Sequence, residues 1–148
     1  MSNDLTDDLE NGMLNWANPA VALPTRPVAP LKVALFLVMP NAETGLGGTE
    51  VAGFAYARAT IVFPAASAGA YSNTSAVTFA TATGGNWGDL AGIGIYDSTG
   101  TPRILWIGPF GSPKTINDGQ TFQIPAGALA LPLPTASKPL RMIALSRT

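Results

Sequence analysis

The sequence predicts an all-β protein: a single β-sandwich or jelly-roll-like barrel with a short N-terminal helix and Pro-rich extended arms. Three observations lead there. Short apolar runs recur through residues 31–133, broken by Gly, Pro, Asn and Asp at the spacing of strands and turns. Only the first sixteen residues place apolar side chains at helical intervals. Prolines mixed with small apolar residues gather on either side of the strand-rich region, where they favour extended chain.

Near the N-terminus, Leu5, Leu9, Met13 and Trp16 recur at three- and four-residue spacing behind Asp4, a candidate N-cap. Acids fill the first turn, where the helix dipole favours them. A short amphipathic helix over about residues 4–16 is expected, weakened by Gly12 at a cost of about 1 kcal/mol relative to Ala. From Asn18 to Pro30, the prolines Pro19, Pro24, Pro27 and Pro30 forbid helix. A flexible linker is usually more polar, so Ala20, Val21, Leu23 and Val28 suggest an arm that lies on a surface.

Leu31–Val38 is almost continuously apolar, as befits a strand covered on both faces. Further strands are expected at Tyr56–Val62, Ala76–Ala80, Leu90–Tyr96, Arg103–Ile107, Thr121–Ile124, Ala128–Leu133 and Leu140–Leu145. Asp97-Ser98-Thr99-Gly100 reads as a hairpin turn between apolar runs, and Asn117-Asp118-Gly119 as a tight turn that tolerates positive φ. Gly92-Ile93-Gly94 falls within a strand pattern, where glycine marks a bulge or a close backbone approach. Beyond Ala130, Pro132, Pro134 and Pro139 again alternate with apolar residues. The chain therefore divides into a helix and arm (1–30), a β domain (31–133) and a C-terminal extension (134–148).

A chain of 148 residues can bury roughly 68–70% of its unfolded surface and so hold a core without staples. Hydrophobic residues make up 47% and charged residues 11%, with a net charge of −1. Nothing in that balance grips a polyanion, so no nucleic-acid partner is expected. No apolar run approaches the ~20 residues a membrane helix needs. Met1-Ser2-Asn3-Asp4 lacks the basic region of a signal peptide, giving the expectation of a soluble chain made in the cytoplasm with no membrane partner. So little charge protects poorly against association, which points to an apolar surface covered by partners and to a homo-oligomer. Asp4, Asp7, Asp8 and Glu10 crowd the start, whereas Lys138, Arg141 and Arg147 are the only charges after residue 132.

The composition also bounds the chemistry. Without cysteine there are no disulfides, thiolate metal sites or thiol nucleophiles, and without histidine the Ser/His/Asp and Cys/His systems are gone. Outside the leader the carboxylates are Glu43, Glu50, Asp89, Asp97 and Asp118, and the three aspartates have turn roles. Glu43 and Glu50 flank Gly45-Leu46-Gly47-Gly48, a conceivable glycosidase pair or calcium loop, though a solvated loop is the plainer reading. That glycine run lacks the Gly-Lys-Ser/Thr of a phosphate loop and leads toward a strand. Trp87, Tyr96, Trp106 and Phe110 would suit a sugar platform, but core packing accounts for them better. No catalytic, cofactor or metal residue is assigned. The candidate functional residues are apolar partner contacts: Leu5, Leu9, Met13 and Trp16 on the helix, Val21, Leu23 and Val28 on the arm, and Leu131, Leu133 and Leu140 near the C-terminus.

Several blocks together resemble small tailed-bacteriophage virion proteins, commonly described as tail fibre or virion structural proteins. They are Leu9-Glu10-Asn11, Leu31-Lys32-Val33-Ala34-Leu35-Phe36, Gly47-Gly48-Thr49-Glu50-Val51 and Tyr56-Ala57-Arg58. Next come Trp87-Gly88, Gly94-Ile95-Tyr96-Asp97, Pro113–Phe122 and Pro125-Ala126-Gly127-Ala128-Leu129. The match covers most of residues 5–131, while Asn18–Pro30 and the extension beyond Leu131 are longer than the family pattern. The resemblance implies a component of the virion, assembled in the host bacterial cytoplasm, with other virion proteins as partners and no catalytic residues. Within that class, apolar arms and low charge suit an accessory capsid decoration or cement protein, and the threefold positions of a capsid suggest a trimer. A tail fibre, tail-tip or adaptor protein for host attachment is the alternative, and a carboxylate-dependent glycosidase or depolymerase using Glu43 and Glu50 the remote one.

Overall fold

The computed structural model describes residues 4–132. In chain order its elements are β1 (Asp4–Leu5), α1 (Asp7–Trp16), β2 (Leu31–Val38), β3 (Thr49–Glu50), β4 (Ala59–Ile61), β5 (Ala70–Ser72), β6 (Val77–Thr78), β7 (Gly88–Tyr96), β8 (Ile104–Ile116), β9 (Gln123–Ile124) and β10 (Ala130–Pro132). The all-β class with one short N-terminal helix holds. β2 is central: Val33, Ala34, Leu35 and Phe36 are all buried, because both of its faces are covered. β7 pairs along one side of β2, with β4 and β3 in tandem along the other. β8 pairs with β7, and β1 closes the far edge, giving a six-stranded antiparallel sheet.

Alternation along β2 and β7 sends Val33, Leu35, Ile93 and Ile95 to one face. There they meet Val77, Ile124 and Leu131 from two small ribbons, β6 with β9 and β5 with β10. The second layer of the sandwich is thus two short ribbons. Leu35, Leu90 and Ile95 are almost wholly enclosed, and each such side chain contributes about 1.5–3 kcal/mol of burial free energy. Trp87 joins this core, edge-on to Tyr56 at 5.5 Å, with its indole N–H donating to the Phe54 carbonyl at 3.0 Å.

The other face is thinner. Ala34, Phe36, Ile104 and Ile107 cluster there with Met39 and Tyr96. Gly92 lies on this face because nothing larger fits: a Cβ there would stand 2.4 Å from the Gly108 carbonyl oxygen. The bulge expected at this glycine is present as a register shift between Leu90 and Gly92, and a second shift between Ile95 and Tyr96 leaves Leu105 without an opposite residue.

Several boundaries differ from the sequence reading. The helix begins at Asp7, not near residue 4, because Asp4 and Leu5 pair with Ile107 and Trp106 of β8. Asp4 therefore does not cap it. Thr6 stands at the N-cap, but its hydroxyl donates to the carbonyls of Ile104 (2.9 Å) and Leu105 (3.3 Å). The strand expected over Tyr56–Val62 shortens to β4, since Phe54 and Ala55 have positive φ and the Tyr56 ring turns inward. β8 runs nine residues past the expected Ile107. The strand expected at Leu140–Leu145 lies outside the described residues.

Candidate assembly surface

At the β1–β8 edge of the sheet, α1 and the arm after it form a surface that the core does not absorb. Every residue of α1 leaves part of its surface uncovered, and Leu14, Trp16 and Leu23 are 70%, 73% and 75% exposed. A ten-residue helix is marginal by itself in water. Its attachment therefore depends on what holds its ends and its arm. At the N-terminal end, the Thr6 amide donates to Leu105 at 3.1 Å and the Asp7 amide to Glu43 at 2.7 Å. At the far end of the arm, the Ser98 amide and hydroxyl donate to the carbonyls of Val28 and Pro30, at 2.8 and 2.5 Å.

Between these anchors, Arg103 joins three parts of the chain. Its guanidinium donates to Asp97 (3.1 and 3.2 Å), to Asp8 on the helix (3.3 Å) and to the Thr25 carbonyl on the arm (3.3 Å). Asp97 also accepts from the Arg103 amide at 2.8 Å and from the Thr99 hydroxyl at 2.9 Å. Burial alone would push the Asp97 carboxyl up. Those hydrogen bonds outweigh it and hold the group below its ordinary value.

Helix and arm enclose an open apolar groove of about 650 Å³, lined by Leu9, Met13, Trp16, Pro24, Pro27 and Leu105 among others. The structure thus brings Leu9, Met13 and Trp16 of the candidate contacts together. Val21, Leu23 and Val28 lie exposed along the arm. Leu5 and Leu131 differ: both are buried in the domain, Leu5 on the edge strand opposite Trp106 and Leu131 in the core between sheet and ribbon, so neither offers a surface to a partner. Leu133 and Leu140 lie outside the described residues. Sequence reasoning missed Thr6, Ser98 and Arg103 as the anchors; their only signal was the Asp97 turn, which read as local.

Glu43 and Glu50, the conceivable carboxylate pair, have separate settings. Glu50 is held by Arg58 through two hydrogen bonds (2.8 and 2.9 Å) and accepts from the Tyr56 hydroxyl at 2.8 Å, while Glu43 is exposed. Arg58 in turn lies over the Tyr96 ring, 3.8 Å from its centre. Its bond to Glu50 raises the guanidinium above its ordinary value, and burial raises the Tyr56 phenol. Phe110 packs against Phe122 and Trp106 against Tyr71, at 5.7 and 6.1 Å, so these aromatics belong to the domain's own core. Among the described residues, no three acidic, His or Cys side chains are grouped to hold a metal ion. No helix among them is long and apolar enough to cross a membrane.

A well-packed β domain that holds an uncovered apolar helix and arm at one edge has the form of a subunit made to assemble. The chain belongs to the family described as podophage GP4 fiber I protein gp80, whose family model matches residues 4–132. It is accordingly a bacteriophage structural protein, a component of the virion that works in contact with other virion proteins. The Asn18–Pro30 arm lies inside the family match, and residues 133–148 lie outside it. No curated protein matches the chain.

Proposed function

We propose that this chain is a non-enzymatic fibre subunit of the phage particle, docked onto a neighbouring virion subunit through α1 and its arm. The observation that carries the reading is the helix itself: it is pinned at both ends of the helix–arm unit, yet its apolar residues Leu14 and Trp16 stay uncovered. The fibre description of the family supports the location. Apolar anchors rimmed by polar groups are the usual centre of a protein interface.

A second reading, capsid decoration, is supported by low charge and by the lack of any shaft repeat or coiled-coil heptad in the chain. Copy number separates the two. Quantified against the major capsid protein in purified virions, a fibre subunit is present in tens of copies and a cement protein in hundreds, as the symmetries of tail and capsid require.

A further inference from the structure

One exposed aromatic side chain is held where the domain's own packing has little use for it. Gly53, Phe54 and Ala55 all have positive φ, at 76°, 51° and 65°, a backbone that bulky residues rarely adopt. The backbone there has a clear structural task, because the Phe54 carbonyl accepts from the Trp87 indole at 3.0 Å and from the Thr83 amide at 3.1 Å. Glycine would perform that task with the least strain. The Phe54 ring, by contrast, stands outside both apolar clusters, and the residue is 46% exposed. It rests against Gly85, where a Cβ would collide with three of its atoms. Two polar side chains are fixed beside it. Asp118 accepts from the Gly84 amide through Oδ1 at 2.9 Å, and its own amide donates to Asn86 Oδ1 at 2.8 Å. That leaves the Asn86 side-chain amide with two N–H donors, and Asp118 with a second carboxylate oxygen, that have no partner among the described residues.

We infer that Phe54, Asn86 and Asp118 form a binding site for a neutral pyranose of a surface glycan. A pyranose offers a flat face of C–H bonds, which suits the negative face of an aromatic ring. Its hydroxyls both accept from an amide and donate to a carboxylate. Thr83, Gly84, Asn86 and Asp118 about the ring are exposed and polar or small, unlike the apolar surround of a protein anchor. Asp118 is the one charge in this group, so an anionic sugar or a nucleic acid finds no cation there. The strained backbone has a use in this setting: it holds the ring in place before the sugar arrives, which spares the cost of ordering it on binding. Gly85 and Trp87 precede the first residue of β7, Gly88, whereas the Asp97 and Ser98 anchors of the helix and arm follow its last, Tyr96. The strand between them is about 25 Å long, so docking through α1 leaves this end of the sheet uncovered.

The test uses the isolated full-length protein and saturation-transfer NMR. The probes are the methyl glycosides of glucose, galactose, mannose, N-acetylglucosamine and rhamnose, together with the surface polysaccharide purified from the strain on which the phage grows. Transfer to at least one probe is expected, strongest to the C–H protons of one ring face. Phe54→Gly should weaken binding by about tenfold or more, since the aromatic face is lost, while the urea midpoint stays level or rises as the backbone relaxes. Phe54→Asn also tolerates this backbone and gives a second ring-free variant should the glycine lower the midpoint. Phe54→Tyr should retain binding, and Gly85→Ala, which pushes the ring aside, should weaken it. Asp118→Asn keeps an acceptor for the Gly84 amide but turns the free acceptor into a donor, so it should weaken binding several-fold. No transfer to any probe, or undiminished transfer to the folded ring-free variants, overturns the inference, as does a Phe54-dependent host ligand that proves to be a protein. Because no particle is involved, those results would leave the docking of the helix and arm onto other virion subunits standing.

Discussion

Replacing Asp97 by Ala removes the carboxylate on which Arg103 depends, and the structure sets the size of the effect. The Asp97 side chain has no exposure and accepts four hydrogen bonds, three of them from Arg103. Breaking a fully buried ion pair by removing one partner costs about 3–5 kcal/mol. Arg103 is 31% exposed and can regain some water, which brings the expectation to about 2–4 kcal/mol. In urea, with a denaturant slope of about 2 kcal/mol per molar, the midpoint should fall by about 1–2 M at pH 7. The lowered pKa fixes the sign of the pH dependence. Folded Asp97 binds its proton less readily than the unfolded group, whose value is 3.8. Its contribution is therefore complete above that pH and is lost as the pH falls through the lower folded value. The gap between wild type and Asp97→Ala should narrow there. A cost under about 1 kcal/mol at pH 7, or a gap unchanged by acid, would refute the role given to this residue.

Other substitutions probe separate parts of the molecule. Gly12→Ala should stabilise the protein by about 0.5–1 kcal/mol in the same urea assay, because a Cβ there meets only Pro24, at an ordinary 3.9 Å. Gly92→Ala should instead cost about 1–3 kcal/mol, since the backbone carbonyl of Gly108 stands in the way; a neutral result would show that β8 can move aside. Glu43→Gln combined with Glu50→Gln should leave any polysaccharide-degrading activity of the particle unchanged, and its loss would revive the carboxylate reading.

Periodicity and turn chemistry made part of the fold legible in the sequence. The full extent of β2 shows in its near-continuous apolarity, interrupted only by Lys32 close to its start, since a strand covered on both faces has little polar side to confuse the pattern. The β7–β8 hairpin shows in the Asp97 turn, and the Gly92 bulge in a glycine that a strand does not otherwise favour. Long-range partners were not legible. Leu5 fitted a helical stripe, but a strand position opposite Trp106 was available and satisfied its backbone better. Leu131 looked like part of an exposed arm because prolines lie close by, whereas pairing with Tyr71 carries it into the core. Arg103 reaches residues 95 and 78 positions away, Asp8 and Thr25, and no local spacing announces such a contact. The apolar helix and arm could be read, but only the structure shows that they remain uncovered.

Docking through α1 and the arm can be checked by incorporation into particles. Leu14→Gln, Trp16→Gln and Leu23→Gln together alter only exposed side chains, so each should change the stability of the isolated protein by no more than about 0.5 kcal/mol. The variant is supplied to phage lacking the wild-type chain, and its amount in purified virions is measured against the major capsid protein. Docking at this surface predicts a folded protein that is missing from the particles. Wild-type levels of the folded variant in the virion would contradict it.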